Sequence, residues 1–349
     1  MMRIKYDNLI VLINKILKAS GLDDFSTHAV SSGLCETSLR GVDSHGVKLL
    51  PHYVNSALSG RKNVKPKFNI KNKYSALASL DADNAFGHAA GYKAIELGMK
   101  CASEYGISAI SVFNSSHPGA MSSMTIKAAR EGFICFGFTH ADSLMLSHGG
   151  KRPYFGTNPL SIAAPRDENE PYCLDMATTM ISWNKLLSYR SQKHQLNDNL
   201  AADEFGLSTN DPIEAESLFP IGGYKGFGLA SMVEILCGVY SGMAFGRDIP
   251  SMYKTPIDLK RKLGQFYIIL KIDGVIDKRD FLKNMQNLSD EVRNEPGNKK
   301  NNILMPNDPE IKNSIDRIKN GIPIEDDLLS EFRTLIKKFN LDSQLIKEL

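Results

Sequence analysis

Within "RGVDSHGV", Arg40 to Val47, the chain sets Arg40, Asp43, Ser44 and His45 close together. An imidazole titrating near pH 6.5 can give or take a proton at physiological pH, which suits acid–base chemistry. A solvated loop between helices is the alternative. "NSSHPGA", Asn114 to Ala120, puts His117 and Gly119 in a turn between a buried β run and a helix, where α/β proteins place ligand contacts. For a single histidine, merely capping or filling the turn is the favoured reading. "LDMATT" sets Asp175 at a strand end, able to orient an imidazole or to cap the next helix. "FGTNPLSIAAP" offers Thr157 and Asn158 in a polar turn that feeds a strand. "GGYKGFG", Gly222 to Gly228, precedes an apolar helix. Its glycines admit close approach of backbone to a ligand, the helix start offers free N–H groups, and Lys225 adds a cation. A flexible loop capping a buried helix explains it equally well. Neither G-x-G-x-x-G nor G-x-x-x-x-G-K-[ST] occurs, so the two common nucleotide signatures are missing.

The elements that must position these residues are legible as periodicities. Leu9, Ile10, Leu12, Ile13, Ile16 and Leu17 form a helical stripe that ends before Gly21. A second helix, "DDFSTHAVSSGLCETSLRG", leads into the His45 motif, and a third, "HGVKLLPHYVNSALSG", is interrupted by Pro51 and stopped by Gly60. A strand, a turn and a long helix over about Gly87 to Tyr105 come next. "ISAISVFNSS", "ICFGFTH", "NPLSIAAP", "PYCLDMATT" and "LGQFYIILKID" read as strands, with "SSMTIKAAREGF" as a helix between the first two. "KGFGLASMVEILCGVYSGMAFG" is an apolar helix, and "NEPGNKKNN" an exposed loop. "DPEIKNSIDRIKNGIPI" and "DLLSEFRTLIKKFNL" are C-terminal amphipathic helices. Strand–helix alternation with apolar strands predicts an α/β layered core with a mixed sheet and flanking helices. The expected division is a helical subdomain of residues 1–75 and 305–349 around an α/β core of 76–304.

Composition bounds the function. A chain of 349 residues with 42% hydrophobic and 23% charged residues is ordinary for a globular protein, and a net charge of +3 is too small to argue for nucleic acid, so no nucleic-acid partner is expected. The lysine-rich run Arg61 to Lys73 reads as a solvated loop. Five cysteines, scattered and never spaced CxxC, predict free thiols in a reducing compartment. The N-terminal stretch lacks a continuous apolar core, so it is not read as a signal peptide, and no run of 18 apolar residues predicts a membrane span. A cytoplasmic protein with no metal site is the expectation.

Taken together and in order, "RGVDSHGV", "NSSHPGA", "GTNPLSIAAP", "LDMATTMISWNK" and "GGYKGFGLASMVEIL" resemble the malate/L-lactate dehydrogenase family, which is distinct from the Rossmann-fold lactate dehydrogenases. That family includes ureidoglycolate, sulfolactate and diketogulonate oxidoreductases and cyclic-imine carboxylate reductases. The resemblance spans nearly the whole chain. It implies NAD- or NADP-dependent hydride transfer on a non-Rossmann α/β fold, to a small 2-oxo or 2-hydroxy acid or a sugar-acid relative. It also implies a homodimer with the active site near the subunit interface. The alternatives are C=N reduction of a cyclic imine carboxylate, and a homologue that binds dinucleotide without turnover. By resemblance His45 is the general acid/base, Ser44 and Asp175 orient it or relay its proton, and His117 is a second candidate proton acceptor. Arg40, Lys48 and Thr157 are assigned to substrate. His117, Gly119, Thr139, Asp175, Met176, Ala177, Lys225, Pro306, Asn307 and Asp308 are assigned to the cofactor. Three positions depart from the family pattern. Leu49 stands where an arginine commonly clamps a substrate carboxylate, with Lys48 beside it. His140–Ala141 replaces an Asn–Ser pair whose hydroxyl contacts cofactor, and Asn307 replaces a glycine.

Overall fold

The computed structural model describes residues 2–166, 170–298 and 302–342. The chain begins with β1 (Met2–Ile4) and three helices, α1 (Tyr6–Ala19), α2 (Asp24–Leu39) and α3 (Leu50–Leu58). There follow β2 (Asn69–Tyr74), β3 (Leu77–Asp81), α4 (Gly87–Tyr105), β4 (Ile107–Ser115), α5 (Ser122–Arg130) and β5 (Phe133–Thr139). Two short strands, β6 (Met145–Leu146) and β7 (Pro153–Phe155), precede β8 (Leu160–Ala164), β9 (Tyr172–Met176) and α6 (Trp183–Gln192). After β10 (Ala201–Ala202) and β11 (Ser217–Leu218) come α7 (Tyr224–Glu234), continued by a π turn over Ile235–Val239, and β12 (Leu263–Lys271). The chain closes with α8 (Lys278–Asn294), α9 (Asp308–Asn320), β13 (Ile322–Ile324) and α10 (Asp326–Lys338).

Seven strands form the main sheet in the order β2-β3-β4-β12-β5-β8-β9. Only β3 and β4 run parallel; every other neighbouring pair is antiparallel. Side chains alternate across the sheet with the period of a strand. Tyr267 and Ile269 of β12 join α1–α4 and α10 in one continuous core, while Phe266 and Ile268 pack with Val233 and Cys237 of the α7 segment on the opposite face. Helices therefore cover both faces, the layered mixed α/β architecture expected. β1 pairs with β13, which ties the chain's beginning to its C-terminal helices.

Local chemistry explains several boundaries. Asp23 caps α2 by accepting the Ser26 N–H at 2.7 Å. Pro51 does not interrupt a helix: it sits in the first turn of α3, where its missing N–H costs nothing, and the preceding residues form two 3₁₀ turns. The run Arg61 to Lys73 is not a solvated loop throughout. Arg61 and Lys62 are buried, and residues 69–73 belong to the exposed edge strand β2, whose lysines keep that edge from pairing further. In the loop "NEPGNKKNN", residues 299–301 lie outside the described residues. All five cysteines are buried free thiols. Among the described residues no helix is long and apolar enough to cross a membrane.

Candidate active site

The ends of β4, β5 and β9 and the starts of β8 and β12 meet at one end of the sheet. A cavity of about 650 Å³ opens there. The turn after α2 brings Ser44 and His45 to it, the loop after β4 brings His117 and Gly119, and the end of β9 brings Asp175, Met176 and Ala177. Thr157 leads into β8, and Pro306 and Asn307 open α9 on another wall. These sites are far apart in sequence, and the sheet unites them.

Several contacts hold the His45 turn. The carboxylate of Asp43 accepts two hydrogen bonds from the Arg317 guanidinium, at 2.6 and 2.9 Å. The Ser38 hydroxyl accepts the Val47 N–H at 2.9 Å, and Asn184 donates to the Ser44 carbonyl at 3.0 Å. The Ser44 hydroxyl lies 2.9 Å from His45 Nδ1, which leaves Nε2 as the ring nitrogen with no hydrogen-bond partner among the described residues. The His45 and His117 rings stack with centroids 5.9 Å apart and planes inclined by 24°.

His117 Nδ1 accepts the Gly119 N–H at 3.3 Å and lies 3.0 Å from the Tyr53 hydroxyl. That pairing assigns the proton of the neutral ring to Nε2. Gly87, the first residue of α4, lets this loop pack closely. A Cβ there would stand 2.2 Å from the Ser116 carbonyl oxygen and 2.5 Å from the His117 carbonyl carbon. Burial lowers the pKa of both rings; for His117 the charges of His45, Arg261 and Lys62 lower it further. The Asp175 side chain is exposed on the cavity wall, yet desolvation by the surrounding protein raises its carboxyl pKa, against the opposing pull of the Ser122 donors. Its Oδ2 accepts the Ser122 N–H at 2.7 Å at the start of α5, so its recorded partner is that backbone rather than His45.

The remaining assignments divide. Arg40 lines the cavity, but its guanidinium donates to Asn307 and to Glu170. Lys48 points away to the surface and pairs with Glu325 at 3.0 Å, while Leu49 faces the cavity. The Thr139 hydroxyl donates to the Gly264 carbonyl at 3.1 Å, and Asp308 pairs with Arg293. Lys225 stands exposed in the first turn of α7, outside the cavity lining. His140 is buried, and its Nε2 accepts the Gly264 N–H at 2.8 Å, anchoring the start of β12. Asn307 adopts φ 82°, a left-handed conformation that asparagine tolerates. Sequence reasoning missed Tyr53, Asp142, Asn184, Met252 and Arg261. Asn184 lies inside the "LDMATTMISWNK" motif without having been singled out, and the other four sit in no motif, so only the fold brings them to the site.

The cavity fits a nicotinamide group. Its volume lies within the range of cofactor pockets. Met121, Leu174 and Met176 give a flat ring apolar walls, and Asp175 and Asn184 offer polar atoms. Among the described residues no group of three or more His, Cys, Asp or Glu is arranged to hold a metal ion.

A family model described as malate/L-lactate dehydrogenase matches residues 4–333. A ureidoglycolate dehydrogenase (NAD(+)) of Escherichia coli K12 is 35% identical over 269 residues, 77% of this chain and 77% of that protein. The crystal structure of malate dehydrogenase from Entamoeba histolytica is similar with a TM-score of 0.93 at 26% identity, covering 98% of this chain and 99% of that one. A Δ1-piperideine-2-carboxylate reductase structure from Pseudomonas syringae gives a TM-score of 0.86 at 25% identity, covering 96% and 100%.

Proposed function

Since the chain belongs to the malate/L-lactate dehydrogenase family, we propose that it transfers a hydride between NAD or NADP and a small 2-oxo or 2-hydroxy acid, with His45 as general acid and base. The observation that carries this reading is the Ser44–His45 pair, stacked against His117 on the wall of a cavity with room for both reactants. The bound nicotinamide supplies or accepts the hydride. The protein's task is to hold the acid and to manage the proton. Hydride arriving at a carbonyl carbon leaves alkoxide character on oxygen. His45, with Nδ1 fixed by Ser44, delivers its proton from Nε2 to that oxygen, and takes it back in the oxidative direction. His117, neutral and protonated on Nε2, donates a hydrogen bond that polarises the same oxygen. Asp175, Met176, Ala177, Pro306 and Asn307 are the residues that would hold the cofactor.

We infer a homodimer as well. Leu229, Met232, Ile235 and Val239 recur at three- to four-residue spacing with Tyr240 beside the last, and each of the five is at least 37% exposed. A stripe of that kind on one helical segment is the mark of a protein interface.

A thermal-shift screen with NADH and NADPH, followed by turnover on a panel of 2-oxo acids and cyclic imines, identifies cofactor and substrate class. His45→Ala should lower kcat by about 10² to 10⁴-fold while cofactor binding stays within twofold of wild type. Near-normal kcat in that variant overturns the role of His45.

A further inference from the structure

Beside the catalytic cavity lies a cluster of basic side chains that the proposed chemistry leaves unused. His52 is in α3, Arg61 and Lys62 follow that helix, and Arg261 stands just before β12. With Ser116, His117 and Met252 they enclose a hollow of about 10 Å³, space for roughly one water-sized group. His117, Met252 and Arg261 also line the large cavity, so the hollow and the cavity share walls.

The hydrogen bonds of these cations are unequally satisfied. Arg61 donates to the carbonyls of Met252 and Pro256 at 2.9 and 2.7 Å, which fastens the segment before β12. Arg261 donates through Nε to the Pro250 carbonyl and through Nη2 to Asp142, but its buried Nη1 has no hydrogen-bond partner among the described residues. Lys62 is 4% exposed, and its Nζ has no hydrogen-bond partner among the described residues either. The amine sits 3.8 Å above the Tyr53 ring and 4.6 Å from the Phe86 ring. Ring faces compensate a cation only in part, and a buried charge without a counter-ion is unfavourable. Two buried donors without partners among the described residues, on residues that line one hollow, therefore form a receptor for an anion.

The catalytic cavity needs such a receptor. At position 49 it presents an aliphatic side chain, and Lys48 is turned outward to Glu325. Arg40 is occupied by Asn307 and Glu170, and Lys254 is exposed. We infer that Lys62 Nζ and Arg261 Nη1 clamp the substrate's carboxylate through one oxygen seated at this hollow, in place of a cation at position 49. The inference rests on the 2-oxo-acid reading and deepens it. With the carboxylate there, the adjoining carbonyl lies next to His117, whose ring stacks on His45. Burial drives the Lys62 amine toward its neutral form, with the neighbouring Arg261 and Arg61 charges acting in the same direction. An incoming carboxylate reverses that balance and keeps the amine charged.

The test uses full-length enzyme saturated with NADH (or NADPH, whichever binds), with oxamate as the carboxylate probe in isothermal titration calorimetry. Lys62→Met retains an apolar stem over the two rings. It should weaken oxamate at least tenfold, leave reduced-cofactor binding within twofold, and melt no lower than wild type, since it removes a buried amine that has no hydrogen-bond partner among the described residues. For the best 2-oxo acid of the panel, KM should rise about as much as oxamate weakens. Leu49→Arg added to Lys62→Met should recover most of the lost affinity. If Lys62→Met does not fold, Arg261→Gln is read in the same way. Oxamate affinity within twofold of wild type in the variant overturns the clamp. If wild type turns over no 2-oxo acid while Lys62→Met still abolishes oxamate binding, the carboxylate site stands and the reading of the reaction falls.

Discussion

Burial pulls the His45 pKa below its ordinary 6.5, and this sets the direction of the pH response. Reduction needs the protonated ring, and oxidation the free base. As pH rises through the His45 pKa the protonated fraction falls, so kcat/KM for reduction should decline above an apparent value under 6.5. Oxidation should gain over the same range and level off above it. Initial rates in both directions from pH 5 to 9 check this, and His45→Gln should flatten the inflection. Ser44, His45, His117 and Asp175 stood out as polar residues in turns or at strand ends, joined by the order of five motifs that resembles one family, and the structure puts all four on one cavity. Lys62 was not recognisable. A lysine in a basic run reads as solvated, and only packing against Tyr53 and Phe86 shows that this one turns inward.

Among the elements, the turn that carries His45 depends on a distant helix. The Arg317 guanidinium of α9 grips Asp43 and the Ser38 carbonyl, pinning the start of the turn to the end of α2. Arg317→Met should lower kcat several-fold more than it changes cofactor affinity. Its stability cost should be only about 1 kcal/mol, because Asp43 is half exposed and water screens the pair. Steady-state kinetics and thermal melting separate the two effects. α4 runs from Gly87 to Tyr105 as its apolar pattern predicted, and β4, β5, β8, β9 and β12 lie where β-branched and apolar runs placed them. α6 escaped notice because its polar composition leaves only Leu186 fully buried. β2 escaped because an edge strand with no buried face has no alternation to read.

On the scale of the whole molecule, the layered architecture followed from strand–helix alternation, but strand order did not. Sequence patterns carry the period of each strand and nothing about which neighbour it pairs with. The exposed stripe from Leu229 to Tyr240 yields the corresponding prediction. Ile235→Glu places a charge in its middle and should shift the protein from dimer to monomer in size-exclusion chromatography with light scattering. A wild type that elutes as a monomer overturns the dimer.

β12 is the last strand of the main sheet to be synthesised, yet it lies at the centre between β4 and β5 and pairs with both. A ribosome that has made only the first 260 residues therefore holds two half-sheets whose inner edges are unsatisfied and whose faces are apolar. Such edges seek strands on other chains. Premature termination before Leu263 would thus leave a nascent chain prone to aggregate, and completion of β12 is the event that closes the sheet.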